Sequence, residues 1–261
     1  DRIKKDSSHF SSGIDSKLVT TSDSECFINS ISIDSKLTRI LLALSTSQII
    51  EISPDSGANL QILYSDCRPL KFFDMHCRFK DVIVSVTEDN KLNFWSFANR
   101  KIINQIQIPH RVTGLHFLTP SILLVGLGDC DNDGKSGAIL VFHIILADND
   151  GNALNPVSSN VNSEVGTVFA VVVDRVHDVG RGGVSLFRVS QDKSKLLCCT
   201  EGGFVYIVNM NQKIFSVDFN KPPLPLLEPF FKVFGGMKTY ASNVPVQSAD
   251  FSTCGNYVRA F

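Results

Sequence analysis

Leu70-Lys-Phe-Phe-Asp-Met-His76, Asp81-Val-Ile-Val-Ser-Val-Thr87, Lys91-Leu-Asn-Phe-Trp-Ser-Phe97 and Lys101-Ile-Ile-Asn-Gln-Ile-Gln-Ile108 are four consecutive runs in which the apolar pattern is close to period two. That period sends alternate side chains to opposite faces of an extended chain, so each run predicts a strand. The joints are short. Glu88-Asp89-Asn90 and Asn99-Arg100 tolerate tight turn geometry and can bond their own backbone. Four strands joined this way make an antiparallel meander. The unit then returns: its third strand reads Gln48-Ile-Ile-Glu-Ile52, Lys91-Leu-Asn-Phe-Trp95, Gly137-Ala-Ile-Leu-Val-Phe142 and Phe204-Val-Tyr-Ile-Val208. A spacing of about 43 to 47 residues, made only of strands, is the signature of a β-propeller blade.

Working outward, units are predicted over residues 27–64, 69–108, 111–174 and 183–219, with an incomplete one over 244–261. In the fourth unit the outer strand is read at Lys213–Phe219. Residues 1–26 are read as flexible, or as the outer strand of a preceding blade (Lys17-Leu-Val-Thr-Thr21). Two insertions interrupt the period. Residues 148–166 are rich in Asn, Asp, Ser and Gly and read as a mobile loop. Residues 221–241 carry Pro222, Pro223, Pro225 and Pro229, which cannot donate to a sheet ladder, so they read as a linker. The fold expected is an all-β propeller of the WD-repeat type, with about four complete four-stranded blades and partial blades at both ends. Such an arc does not close by itself, so missing blades are expected from the rest of the chain or from a partner chain.

The 261 residues carry a formal net charge of −1, which gives no sign of nucleic acid or an anionic membrane as a partner. Apolar runs such as Ile40–Leu44 and Val168–Val173 suit buried strands and fall far short of a membrane span. Seven cysteines in an odd set without framework spacing predict a reducing, cytoplasmic setting.

The order of the strand sequences is more specific than the fold. Ile28-Asn-Ser-Ile-Ser-Ile33, Arg39-Ile-Leu-Leu-Ala-Leu44 and Gln48–Ile52 are followed by Phe72-Phe-Asp-Met-His76, Thr113-Gly-Leu-His-Phe117, Ile122-Leu-Leu-Val-Gly126, Val184–Ser190 and Ser248-Ala-Asp-Phe251. Taken together over residues 27–257, this series resembles the second propeller of the echinoderm microtubule-associated protein-like (EML) family. The resemblance implies a non-catalytic, cytoskeletal scaffold that binds tubulin or microtubules through propeller rim loops. The order of the matches and the poor Gly-His and Trp-Asp signatures favour this family; the departures are the missing first propeller, the Ser/Asn-rich insertion after the third strand of the third unit and the loss of most signature residues. A WD-type scaffold in another assembly, ciliary or trafficking, is the alternative reading. A propeller enzyme is the least favoured.

Few residues point to chemistry. Asp129, Asp131 and Asp133 fit the first half of a calcium loop, but Leu140 stands where the bidentate Glu belongs, so an Asp/Gly turn is the simpler reading. His76 and His116 sit near the end of strand a in adjacent units and read as structural. No Ser-His-Asp elbow or phosphate loop is present. No cofactor is expected, and Trp95, Cys198 and Cys199 read as core. One charge pattern remains. In a WD-type propeller the d–a and b–c connections share a face, and the d–a connections here carry Arg68, His110, Arg111, Arg181 and Lys238. The b–c turns carry Glu88, Asp89, Asp129, Asp131, Asp133 and Glu201. The cations are candidates for meeting an acidic partner; the simpler reading pairs them with these neighbouring acids.

Overall fold

The computed structural model describes residues 27–33, 39–56, 59–65, 69–79, 81–128, 136–155, 164–176, 179, 182–210, 237–241, 246, 248–253 and 257–260. Within them every regular element is a strand. The first sheet contains β1 (Ile28–Ile33), β2 (Ile40–Leu44), β3 (Gln48–Ile52) and β4 (Asn59–Ser65). The second contains β5 (Leu70–Met75), β6 (Val82–Thr87), β7 (Lys91–Ser96) and β8 (Lys101–Gln107). The third contains β9 (Arg111–Thr119), β10 (Ile122–Gly128), β11 (Ala138–Ala147) and β12 (Thr167–Val176). The fourth contains β13 (Val184–Val189), β14 (Lys195–Thr200), β15 (Phe204–Asn209) and β16 (Met237–Ala241), and a two-stranded sheet follows with β17 (Ala249–Phe251) and β18 (Val258–Ala260). Every sheet is an antiparallel meander in chain order. The first strands β1, β5, β9, β13 and β17 pack against one another in succession, as the inner strands of a propeller do.

Burial follows the alternation. Leu41, Ala43 and Ile49 of the first blade meet Phe73, Ile83 and Trp95 of the second. Val84 and Phe94 on the other face of the second blade join Leu123, Val125 and Phe142 of the third. Trp95 is wedged between blades as expected, and its indole N–H donates to Ser85 Oγ at 3.0 Å. Cys198 and Cys199, adjacent on β14, face opposite ways: one joins the seam with the third blade, the other the seam with β17 and β18. Burial raises the pKa of both thiols, Cys199 to about 11.

A regular irregularity marks the inner strands. Each of β1, β5, β9 and β13 has one residue more than its partner strand near its start, at Asn29, Lys71, Thr113 and Ser185. Such bulges increase local twist. Two of the bulged side chains reach across to the next blade. Asn29 Nδ2 donates to Leu70 O at 3.0 Å and Thr113 Oγ1 to Val184 O at 2.8 Å. In both cases the acceptor is the first residue of the next inner strand.

Two expectations about the insertions change. The outer strand of the fourth blade is Met237–Ala241, inside the stretch read as a linker, and it pairs with β15 in the register Phe204↔Ala241 and Ile207↔Met237. The earlier candidate, 213–219, and residues 1–26 lie outside the described residues. The ends of the 148–166 insertion also belong to the fold rather than to a mobile loop. Val165 is buried in the core between the second and third blades. Asn99 Nδ2 donates to Val165 O at 3.1 Å, and Gly166 N to Ala147 O at 2.9 Å.

Candidate partner-binding rim

The turn chemistry of each blade decides which connections share a face. Ser45 N donates to Phe27 O at 2.8 Å, Glu88 N to Pro69 O at 3.1 Å and Glu201 N to Gly183 O at 3.1 Å. Each bond ties the residue after the second strand to the residue before the first. The d–a and b–c connections therefore lie together on one rim. On the opposite rim, Phe97 N donates to Asp81 O, Ile144 N to Ser121 O and Met210 N to Ser194 O, all within 2.7–2.9 Å.

On the first rim the turn after β6 is held by its own side chains. Asn90 adopts a left-handed backbone (φ 60°), and its Oδ1 accepts from Val112 N at 3.1 Å. Thr87 Oγ1 donates to Asp89, whose other oxygen lies 3.5 Å from Lys91 Nζ. His110 is half-buried in the next connection. Arg111 opens β9 and reaches the b–c turn of the fourth blade. Its Nη1 donates to Glu201 Oε1 at 2.9 Å and its Nη2 to Glu201 Oε2 at 2.7 Å, a bidentate pair between residues 90 apart in sequence. A candidate cation and a candidate acid are thus brought together. Lys238, expected in a d–a connection, instead lies within the outer strand β16, opposite Tyr206, because that strand pairs with β15 further along the chain than expected; its side chain is not described. Arg68, Arg181, Asp129, Asp131 and Asp133 lie outside the described residues. Among the described residues no three His, Cys, Asp or Glu side chains gather as a metal ion would need.

Because the Arg111 and Glu201 side chains are 40% and 34% exposed, solvent screens the pair and its net contribution is small. In a double-mutant cycle with Arg111→Met and Glu201→Gln, the coupling measured by urea unfolding is expected to be at most about 1 kcal/mol. A coupling several times larger would show that the pair is shielded from water.

The acid and histidine side chains that meet elsewhere hold blades together. His76 Nδ1 accepts from Phe79 N at 2.9 Å and from Arg78 N at 3.2 Å. Its proton therefore sits on Nε2, which donates to Pro120 O in the next blade at 2.7 Å. Burial holds this imidazole down at about 4, against the opposing pull of the Pro120 hydrogen bond and Asp74. Asp74 joins three blades: it accepts from Ser32 Oγ at 3.3 Å, from Phe117 N at 2.8 Å and from His116 Nδ1 at 3.1 Å. The two histidines do not occupy matching places. His76 follows β5, whereas His116 lies within β9, beside Asp74. At the turn after β13, Asp192 accepts from Ser190 Oγ and Ser194 Oγ, both at 2.6 Å, and these hydroxyls bring its carboxyl down to about 2. Asn29, Asp74 and Thr113 carry no signal in the sequence, because their partners are one blade away.

No family model matches the sequence, and no curated protein matches it. Among solved structures, the β-propeller domain of Cps50 (Swd1) from Myceliophteria thermophila is similar, with a TM-score of 0.57 at 12% identity, over 89% of this chain and 65% of that one. The chain thus spans just under two thirds of that domain's length. The likeness places this protein in the β-propeller class.

Proposed function

We propose that the chain is a non-catalytic propeller scaffold that binds a protein partner through the rim formed by its d–a and b–c connections. The observation that carries this reading is the use of its polar side chains. His76, Asp74, His116 and Asp192 are all engaged in turns or blade-to-blade bonds, as a rigid support for loops requires. The structural neighbour is itself a propeller, a fold that hosts many functions, and supports the reading by analogy. The partner is a microtubule, reached in the cytoplasm by an EML-like protein. Support for this comes from the strand-by-strand resemblance over residues 27–257 and from the cations that the sequence assigns to d–a connections, Arg68, His110, Arg111 and Arg181, which suit an acidic surface.

The test is co-sedimentation of the full-length protein with microtubules. Charge reversal by Arg68→Glu together with Arg181→Glu is expected to reduce the bound fraction about tenfold at low salt, an effect that shrinks as salt is added. Arg111 is left intact because its guanidinium also joins two blades. Pelleting that ignores the substitutions would remove the rim from the reading. Absence of pelleting, with capture by a ciliary or trafficking complex instead, would replace the cytoskeletal partner and leave the scaffold.

A further inference from the structure

Two arginine–glutamate pairs in this chain sit in different surroundings. Arg39 and Glu51, 12 residues apart in the first blade, are largely closed off from water, with side chains 17% and 10% exposed. The Arg39 guanidinium also lies 5.1 Å from the centre of the Phe97 ring in the second blade, so that pair is part of the packing. Arg111 and Glu201, on the rim shared by the d–a and b–c connections, are open at 40% and 34%. An open pair adds little to stability. The chain is nevertheless shaped closely around this one. A Cβ on Gly128 would stand 2.6 Å from Arg111 Nη2 and 3.0 Å from its Cζ, so the guanidinium lies against bare backbone at the end of β10. A Cβ on Gly182 would stand 2.9 Å from Glu201 Cβ and 3.2 Å from its Oε2, and the Gly182 carbonyl accepts from Arg111 Nη2 at 3.4 Å. The Glu201 backbone is tied separately, its N–H donating to Gly183 O at 3.1 Å. The start of β9, the end of β10 and the connections before β13 and β15 thus converge on one guanidinium and keep it at the surface of the rim.

A guanidinium held in a fork geometry matches any carboxylate that reaches it. We infer, on the footing that this rim is the binding surface, that Glu201 is a built-in stand-in for a carboxylate of the partner. When an acidic peptide occupies the rim, one of its carboxylates takes the place of Glu201 on Arg111. The exchange is between like bonds. The donors that now reach Glu201 Oε1 and Oε2 turn to the incoming oxygens, and the Glu201 side chain moves into water. Because the pair is open and screened, separating it costs little. Because Glu201 is tethered beside Arg111, it competes with every ligand at a high effective concentration. The rim therefore turns away isolated carboxylates and takes a segment that presents many of them together.

Binding of a fluorescein-labelled decaglutamate peptide to the full-length protein, read by fluorescence anisotropy at low salt, tests this. Glu201→Ala is expected to tighten binding about fivefold, the equivalent of about 1 kcal/mol released from the internal pair. In an Arg111→Met background the same substitution is expected to change nothing, because it frees no guanidinium. An affinity that Glu201→Ala leaves unchanged or weakens, a gain that persists without Arg111, or no binding of decaglutamate by either protein would each overturn the exchange. Microtubule pelleting of the same variants is scored separately. Tighter decaglutamate binding by Glu201→Ala without any pelleting supports the exchange and removes the microtubule as the partner.

Discussion

Replacing Gly126 with alanine is expected to destabilise the chain by about 3 kcal/mol, because the added methyl has no space and its neighbours cannot give way. A Cβ at this position would stand 2.0 Å from Val184 O and 3.0 Å from Val184 C. Both are backbone atoms of the next inner strand, so relief requires the third and fourth blades to part. The carbonyl is also held in place: it accepts the Thr113 hydroxyl at 2.8 Å. Parting the blades would therefore strip contacts from the apolar seam as well as stretch that hydrogen bond. Gly151→Ala is the comparison. Its backbone is left-handed (φ 84°), and a Cβ there meets nothing within 4 Å. Only local backbone strain applies, about 1 kcal/mol. Equilibrium urea unfolding of both variants separates the two causes. Equal losses would show that close approach at the seam does not limit stability.

His76→Leu is expected to remove about 3 kcal/mol at neutral pH. It leaves the Phe79 amide and the Pro120 carbonyl without their side-chain partner in a buried place, and each such loss costs about 1–3 kcal/mol. The variant also reports on pH. The folded-state pKa of about 4 lies below the ordinary imidazole value of 6.5, so between these values the unfolded chain binds more protons than the folded one. Stability must then fall as pH drops through that window, by about 1.4 kcal/mol per unit at the steepest and on the order of 3 kcal/mol in all. In the leucine variant this part of the acid slope should vanish. Unfolding midpoints at pH 7, 5.5 and 4.5 for both proteins measure it. An unchanged slope would mean that other groups carry the acid sensitivity.

The strands were readable because their signal is local. Lys91–Ser96 shows its alternation and Lys195–Thr200 its short continuous apolar run within a single window, and the turn at Glu88-Asp89-Asn90 needs only the left-handed tolerance of Asn90 (φ 60°). The outer strand of the fourth blade was not readable. The stretch over 213–219 also alternates, and choosing Met237–Ala241 depends on pairing with Phe204–Asn209 across an intervening proline-rich segment. The rim was partly readable. Arg111 could be assigned to a connection on that face, but its pair with Glu201 joins residues 90 apart, from the start of the third blade to the b–c turn of the fourth.

By itself the sequence determined the class of fold and the order of its strands, since side-chain alternation follows from the covalent geometry of an extended chain. Only the tertiary structure decided how the blades lock. The bulges at Asn29 and Thr113, the three-blade bonding of Asp74 and the notch at Gly126 are set by backbone atoms of neighbouring blades. No local pattern encodes those atoms, because they come within reach only after the sheets have packed.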